Sequence, residues 1–221
     1  LAKCLTGGLL TLFSLSLQAQ TPLVLQLKWS HGFQFAGYYA AAEKGFYRDA
    51  GLDVRIKEAS PGLDVVGQVL SGKADFGVGT SGLLMARKAG QPVVVLAAIF
   101  QHSPLVLIAG RDSATQSIHD LVGKRVMIEA GGEELMAYLR RERIFPEQLT
   151  LLEHSFRPQD LIDGHVDAIS AYSSNEPFYL DRAGQDYLVF TPRSAGIDFY
   201  GDNLFTSLAL SKAQPERVRA F

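Results

Sequence analysis

The chain is poor in several things that would each have dictated a chemistry. Its 221 residues contain one cysteine, Cys4, in an N-terminal stretch expected to be cleaved away. Disulfides, thiolate metal sites and a cysteine nucleophile are thereby excluded from the remainder. Neither sign of charge is in excess, with 21 Lys+Arg against 23 Asp+Glu and a net charge of −2. A nucleic-acid partner would demand a basic face, which this balance does not supply. No apolar run reaches the roughly 20 residues of a membrane-spanning helix. There is no G-x-S-x-G elbow and no H-E-x-x-H. The five histidines (His31, His102, His119, His154, His165) lack metal-ligand spacing. The expectation is therefore a protein that is not an enzyme and carries no resident cofactor or metal. Internal repeats and low-complexity linkers are also missing.

What is present is ordinary globular composition, 47% hydrophobic and 20% charged, which excludes disorder. The 21 glycines are more than a chain of this length usually holds, and point to tight turns and close backbone approaches. Residues 1–20 read as a secretory signal: Lys3 as the positive region, Leu5 to Leu17 as the apolar stretch, Leu17-Gln18-Ala19 as the cleavage point. From Leu23 onward, strand patterns alternate with helix patterns, the mark of an α/β fold with parallel sheets. Val93 to Phe100 (VVVLAAIF) is a continuous apolar run, expected to be a parallel strand buried on both faces. The alternation restarts at Leu105. Two lobes are expected, 22–103 plus 203–221 and 104–202. The chain would cross between them near Gln101-His102-Ser103-Pro104 and again near Asp198 to Asn203. Such a pair of crossings makes a hinge, with a ligand between the lobes. At the far end, Pro215 to Phe221 has the look of a helix just begun.

Several motifs carry chemistry. Gly77-Val-Gly79-Thr-Ser-Gly82 matches G-x-G-x-x-G between a strand and a helix, but no Asp or Glu follows until Asp112. The ribose-binding acid of a dinucleotide site is therefore missing. Ser81 stands where a helix begins, either as a plain cap or beside N–H groups that face a ligand. Trp29-Ser-His31-Gly-Phe33-Gln-Phe35-Ala-Gly-Tyr38-Tyr39 crowds the chain's only tryptophan and four other aromatic rings into one turn. That is more than a core needs, and suits a flat ligand. Glu133 and Glu134 open a helix, where acids complement the dipole and disfavour an anion. Ser173-Ser-Asn175-Glu176-Pro177 and Gly196-Ile-Asp198-Phe-Tyr200-Gly-Asp202-Asn203 add further acceptors. Together these loops suit an amino-bearing heteroaromatic ligand better than an anion.

His31 to Tyr47 (HGFQFAGYYAAAEKGFY), with AGLDV at Ala50 to Val54, LSGKADFGVG at Leu70 to Gly79 and DLVGKRV at Asp120 to Val126, forms a family pattern. It resembles the periplasmic binding proteins for thiamine pyrimidine precursors, relatives of the aliphatic-sulfonate binding proteins and of the fungal thiamine pyrimidine synthase. The resemblance runs from about Leu23 to Phe221. It implies a two-lobed type II periplasmic-binding-protein fold with parallel-rich sheets, completed by C-terminal helices beyond Phe221, so the chain is expected to be a fragment at both ends. FQHSPLVLIA at Phe100 to Ala109 and SAGIDFYGDNLFT at Ser194 to Thr206 resemble a branch in which the domain senses ligands for a histidine kinase or diguanylate cyclase. The implied partners are a small molecule and either an ABC permease or a fused membrane signalling module. The fungal enzyme's cysteine-rich motif has no counterpart here. By the family pattern, the ligand-binding candidates are Trp29, His31, Phe33, Tyr38, Ser60, Gly62, Ser81, Glu133, Tyr172, Asn175, Glu176, Asp198 and Tyr200.

Overall fold

The computed structural model describes residues 22–111 and 114–221. The expected signal segment, with Cys4, lies outside them. The first half of the chain folds as β1 (Leu23–Gln26), α1 (Ala36–Glu43), α2 (Phe46–Asp49), β2 (Val54–Lys57), α3 (Val65–Leu70), β3 (Phe76–Gly79), α4 (Leu83–Lys88) and β4 (Val93–Phe100). The second half continues with β5 (Leu105–Gly110), β6 (Arg125–Ile128), α5 (Glu133–Arg141), β7 (Thr150–Glu153), α6 (Gln159–Ile162), β8 (Ala168–Tyr172), α7 (Glu176–Arg182) and β9 (Tyr187–Phe190). It ends with β10 (Gly201–Ser207), α8 (Leu208–Ala213) and α9 (Pro215–Ala220).

Two five-stranded sheets result, ordered β2-β1-β3-β10-β4 and β7-β6-β8-β5-β9. In each sheet four strands run one way, and a single strand, β10 or β5, runs against both its neighbours. The reversed strands are the first ones entered after each crossing, so the expected parallel sheets are mixed at these two places. Helices cover the sheets because their apolar positions demand it. Leu23, Leu25, Phe35, Tyr38, Tyr47 and Phe76 form the first core, and Leu107, Leu121, Val126, Leu135 and Leu139 the second. Local signals set the ends: Asp64 accepts from the Gly67 N–H at 2.9 Å at the start of α3, and Ser207 accepts from Leu210 at the start of α8. Phe221, after α9, stacks on Phe76 with centroids 4.0 Å apart, which seats the chain's end on the first sheet.

The apolar run Val93 to Phe100 departs from expectation. It forms β4, antiparallel to β10 and at the sheet's edge, and Val95, Leu96 and Ile99 are exposed. A continuous apolar run records what a strand can bury, not how many neighbours it has.

The two crossings are bonded to each other. The Ser103 N–H donates to the Phe199 carbonyl at 2.8 Å, and His102 Nδ1 lies 2.8 Å from Asp198 Oδ2. A Cβ on Gly201 would stand 3.2 Å from both Pro104 and the Ser103 backbone, so a side chain there would press the crossings apart by a few tenths of an ångström.

Candidate functional site

The parallel strands of both sheets point their C-terminal ends at one cleft, the place where α/β sheets present loops to ligands. β1 delivers Lys28 and Trp29, β2 leads to Gly62, and β3 to Thr80. From the other side β6 delivers Glu129, β7 delivers His154 and Phe156, and β8 ends on Tyr172 just before Asn175 and Glu176.

Lys28 is the centre of the cleft. Its side chain is only 6% exposed, 2.9 Å from Glu129 and 3.9 Å from Asp202, and its ammonium sits 4.4 Å above the Tyr172 ring. Burial alone would lower its pKa, but the facing carboxylates of Glu129 and Asp202 outweigh this and hold it above the ordinary lysine value. The Tyr172 hydroxyl donates to Asp202 at 2.6 Å, and Gln34 reaches the other Asp202 oxygen at 3.4 Å. Burial raises the Asp202 pKa, with Lys28 opposing, and burial with the Asp202 charge raises that of Tyr172. Lys28 and Asp202 belong to the first sheet's side, Glu129 and Tyr172 to the second, so this cluster ties the lobes together across the cleft.

Beside it stand two aromatic rings from opposite lobes. Trp29 lies on Phe156, centroids 3.8 Å apart at 34°, and His154 meets the Trp29 ring edge at 5.0 Å. Phe156 has a left-handed φ of 63°, a strained state for a bulky residue. Its N–H donates to His154 Nδ1 at 2.9 Å, so His154 carries its proton on Nε2 and donates to the Ser170 carbonyl at 2.9 Å. Burial lowers the His154 pKa and keeps this tautomer neutral. Glu176 is also buried. It accepts from the Tyr172 N–H at 2.6 Å and from Asn175 Nδ2 at 2.7 Å, while burial raises its pKa.

Two cavities flank this strip. One, of 740 Å³, holds Trp29, His31, Phe33, Phe156, Asn175 and Glu176 in its walls. The other, of 430 Å³, is bounded by Lys28, Gly62, Thr80, Gly82, Gly131 and Glu133. A small void around Lys28, Trp29, Glu129, Tyr172 and Glu176 lies between them. Cross-lobe approaches narrow the second cavity: Glu133 meets Gly82, and Glu153 meets Gly62, whose φ is 72°. Eight of the thirteen expected residues therefore gather at the cleft: Trp29, His31, Phe33, Gly62, Glu133, Tyr172, Asn175 and Glu176.

The remaining five lie elsewhere. Tyr38 packs into the first core with its hydroxyl unpartnered, its pKa raised by burial. Ser60 is exposed in a turn, its carbonyl accepting from Leu63. Asp198 pairs with His102 and Arg193 at the hinge, and Tyr200 is 57% exposed beside it. Ser81 does not cap α4: the N-cap is Gly82 with no side-chain cap bond, and Thr80 Oγ1, one residue earlier, accepts from the Gly82 N–H at 3.2 Å. Within the cleft, Phe33 is 90% exposed at the cavity mouth and His31 is held by Tyr39 and Glu58.

The glycines of G-x-G-x-x-G answer to packing. A Cβ on Gly77 would meet the Phe205 ring at 2.5 Å, one on Gly79 would meet Leu83 at 3.0 Å, and one on Gly82 would meet the Glu133 carboxylate at 2.5 Å. Lys28, Glu129, Phe156 and Ser170 stood in no motif singled out from the sequence, and Gln34 and Asp202 stood in such motifs without being named as ligand-binding candidates. For Lys28 and Glu129 a signal existed, since Glu129 directly follows β6 and Lys28 stands two residues past the C-terminal end of β1. Among the described residues there is no group of three or more His, Cys, Asp or Glu arranged to hold a metal ion, and no helix is long and apolar enough to cross a membrane.

Two five-stranded α/β lobes, joined by a bonded pair of crossings and facing each other over a polar and aromatic cleft, define the two-lobed periplasmic-binding-protein fold. A solved structure shares it: the alkanesulfonate-binding protein SsuA from Xanthomonas axonopodis pv. citri bound to MOPS, with TM-score 0.68 at 18% identity, over 90% of this chain and 69% of that one. Residues 32–221 match the NMT1/THI5 like family, and the chain belongs to it. The riboflavin-binding protein RibY of Chloroflexus aurantiacus is 27% identical over 208 residues, 90% of this chain and 59% of RibY. The 4-amino-5-hydroxymethyl-2-methylpyrimidine phosphate synthase of Legionella pneumophila is 33% identical over 105 residues, 47% of this chain and 33% of that protein. The chain thus spans less than two thirds of the length of either relative.

Proposed function

We propose that this chain is a solute-binding module of the periplasm that closes on a flat, nitrogen-bearing heteroaromatic, a pyrimidine precursor of thiamine, for uptake through an ABC permease. The observation that carries the reading is the pair Trp29 and Phe156, which meet from opposite lobes with centroids 3.8 Å apart and planes tilted by 34°. Opening the hinge parts the rings, and a planar ligand entering between them restores the stacking on both faces. Glu176, Asn175, Glu129 and Asp202 line the same buried region around one cation, Lys28. Acceptors outnumber donors there, which suits exocyclic amino groups and ring N–H donors. The two relatives' names, riboflavin-binding protein and aminopyrimidine phosphate synthase, both involve nitrogen heteroaromatic rings. Binding favours the closed form by its differential affinity for it, and closure would be read by a permease.

A second reading, a sensor domain fused to a histidine kinase or diguanylate cyclase, uses the same ligand and differs in what reads the closure. It rests on the resemblance of 100–109 and 194–206 to that branch. Catalysis has less support, since the residues at the cleft offer stacking and hydrogen bonding without an assembled nucleophile and base. A thermal-shift panel tests the function: hydroxymethylpyrimidine and riboflavin against an alkanesulfonate, with Glu176→Ala as control. A heteroaromatic is expected to raise the melting temperature of the parent chain and not of the variant. A rise with the sulfonate alone contradicts the reading.

A further inference from the structure

Phe156, the second lobe's ring at the cleft, stands in the loop between β7 and α6 in a left-handed conformation that a bulky residue does not favour on its own. His154, two residues earlier, fixes it there: Nδ1 accepts the Phe156 N–H at 2.9 Å. The other end of the same imidazole is anchored to the sheet, with Nε2 2.9 Å from the Ser170 carbonyl on β8. Ser170 is fixed in turn, since its hydroxyl accepts from the Glu129 N–H at 2.9 Å. The His154 ring also meets the Trp29 ring edge-on at 5.0 Å and lies 6.0 Å from that of Phe156. One buried imidazole therefore sets the loop, the sheet and both aromatic walls against each other.

This arrangement works in one protonation state only. A backbone N–H can only donate and a carbonyl oxygen only accept, so the neutral ring with its proton on Nε2 satisfies both neighbours. A second proton turns Nδ1 into a donor that faces the Phe156 N–H, and the bond is lost. The charged groups that act on the ring come from three elements: Lys28 past β1, Glu129 after β6 and Asp160 in α6. Burial lowers the His154 pKa below the ordinary 6.5 and Lys28 adds to that, while the Ser170 carbonyl, Glu129 and Asp160 oppose it. The neutral ring is thus the form present at neutral pH, and the imidazolium arrives only in acid.

We infer that His154 is the positioning residue of the aromatic pair: its neutral ring holds Phe156 against Trp29, and a second proton frees Phe156, so that the cleft gives up its ring ligand in acid. The inference rests on the proposed heteroaromatic site and adds a pH-dependent release to it. His154 acts through Phe156 and needs no contact with the ligand. Once the bond is lost, nothing offsets the backbone cost of the left-handed turn, and the loop relaxes away from Trp29.

Two measurements on the full chain test this. Trp29 emission without ligand is followed from pH 7.5 to 4.5. An imidazolium quenches a neighbouring indole more than the neutral ring does, so the parent should dim with a midpoint below 6.5 and His154→Asn should not. Calorimetric titration with hydroxymethylpyrimidine then compares the parent with His154→Asn, whose amide oxygen accepts the Phe156 N–H without titrating, and with His154→Leu, which has no acceptor. At pH 7.5 the asparagine variant should bind within about threefold of the parent and the leucine variant about tenfold more weakly. Between pH 7.5 and 4.5 the parent should lose about threefold or more affinity beyond the loss in the asparagine variant. Protonation of the ligand, Glu176 or Asp202 is common to both chains and cancels in that ratio. A flat emission profile in the parent, a readout that needs no variant to fold, overturns the inference and leaves the heteroaromatic reading standing. So do emission or affinity profiles that change alike in the parent and the asparagine variant. A clear emission midpoint in a chain that binds the pyrimidine at neither pH overturns the heteroaromatic reading instead.

Discussion

Glu134 makes the stability of this protein depend on pH in a way that one substitution removes. The residue opens α5 beside the hinge, 4% exposed, with Oε1 lacking any hydrogen-bond partner. Burial pushes its pKa from the ordinary 4.5 up to about 7. The Ser103 side chain and the Lys28 charge oppose that rise, and the Asp198 and Glu129 charges add to it. Below pH 4.5 the carboxyl is protonated in both folded and unfolded chains. Between 4.5 and about 7 the unfolded chain gives up the proton while the folded one keeps it, so stability is lost as pH rises through that window. The loss amounts to roughly 3 kcal/mol, at about 1.36 kcal/mol for each unit between the two states. For a domain of this size that is roughly 6–12 °C in melting temperature. Glu134→Gln presents a neutral side chain at every pH. Thermal unfolding of parent and variant from pH 4.5 to 8 should show curves that converge toward the acid end and separate toward the alkaline end, the variant being more stable there. Curves that stay parallel would refute the buried, unpartnered carboxylate as the source.

Other substitutions probe the cleft and the core beneath it. Lys28→Met leaves Glu129 and Asp202 buried without their cation and should cost about 3–5 kcal/mol near neutral pH; urea denaturation reads this, and the loss should shrink as pH falls and Asp202, whose pKa burial raises, takes up a proton. Gly77→Ala drives a methyl group into the Phe205 ring and Val69, and should cost about 1–3 kcal/mol by the same measurement. Gly82→Ala meets only the mobile end of Glu133 and keeps an ordinary backbone angle, so its stability should change by less than about 0.5 kcal/mol while ligand affinity reports any hindrance to closure.

The alternating pattern was enough to place the strands and helices, because apolar periodicity is local. It could not place β10. Asp198 to Asn203 reads as a crossing, yet β10 begins already at Gly201, inserts between β3 and β4 and carries Asp202 into the cleft with a left-handed φ of 47°. The partner that makes Asp202 meaningful, Tyr172, is thirty residues away, and no spacing rule announces it. The aromatic turn at Trp29 was legible in composition, but its counterpart Phe156 was an unremarked residue in a polar loop. No sequence motif includes Lys28; only the approach of two distant carboxylates, Glu129 and Asp202, and of the Tyr172 ring marks it as buried. Tyr38 illustrates the reverse case, an aromatic in a suggestive motif that the core claims.

The most direct test uses the chain's single tryptophan, which lies at the cleft. Titrating hydroxymethylpyrimidine while following Trp29 emission should give a saturable change, because a ring that parts Trp29 from Phe156 alters its surroundings. The change should be lost in Glu176→Ala. Emission that stays flat with the pyrimidine but saturates with an alkanesulfonate would contradict the account.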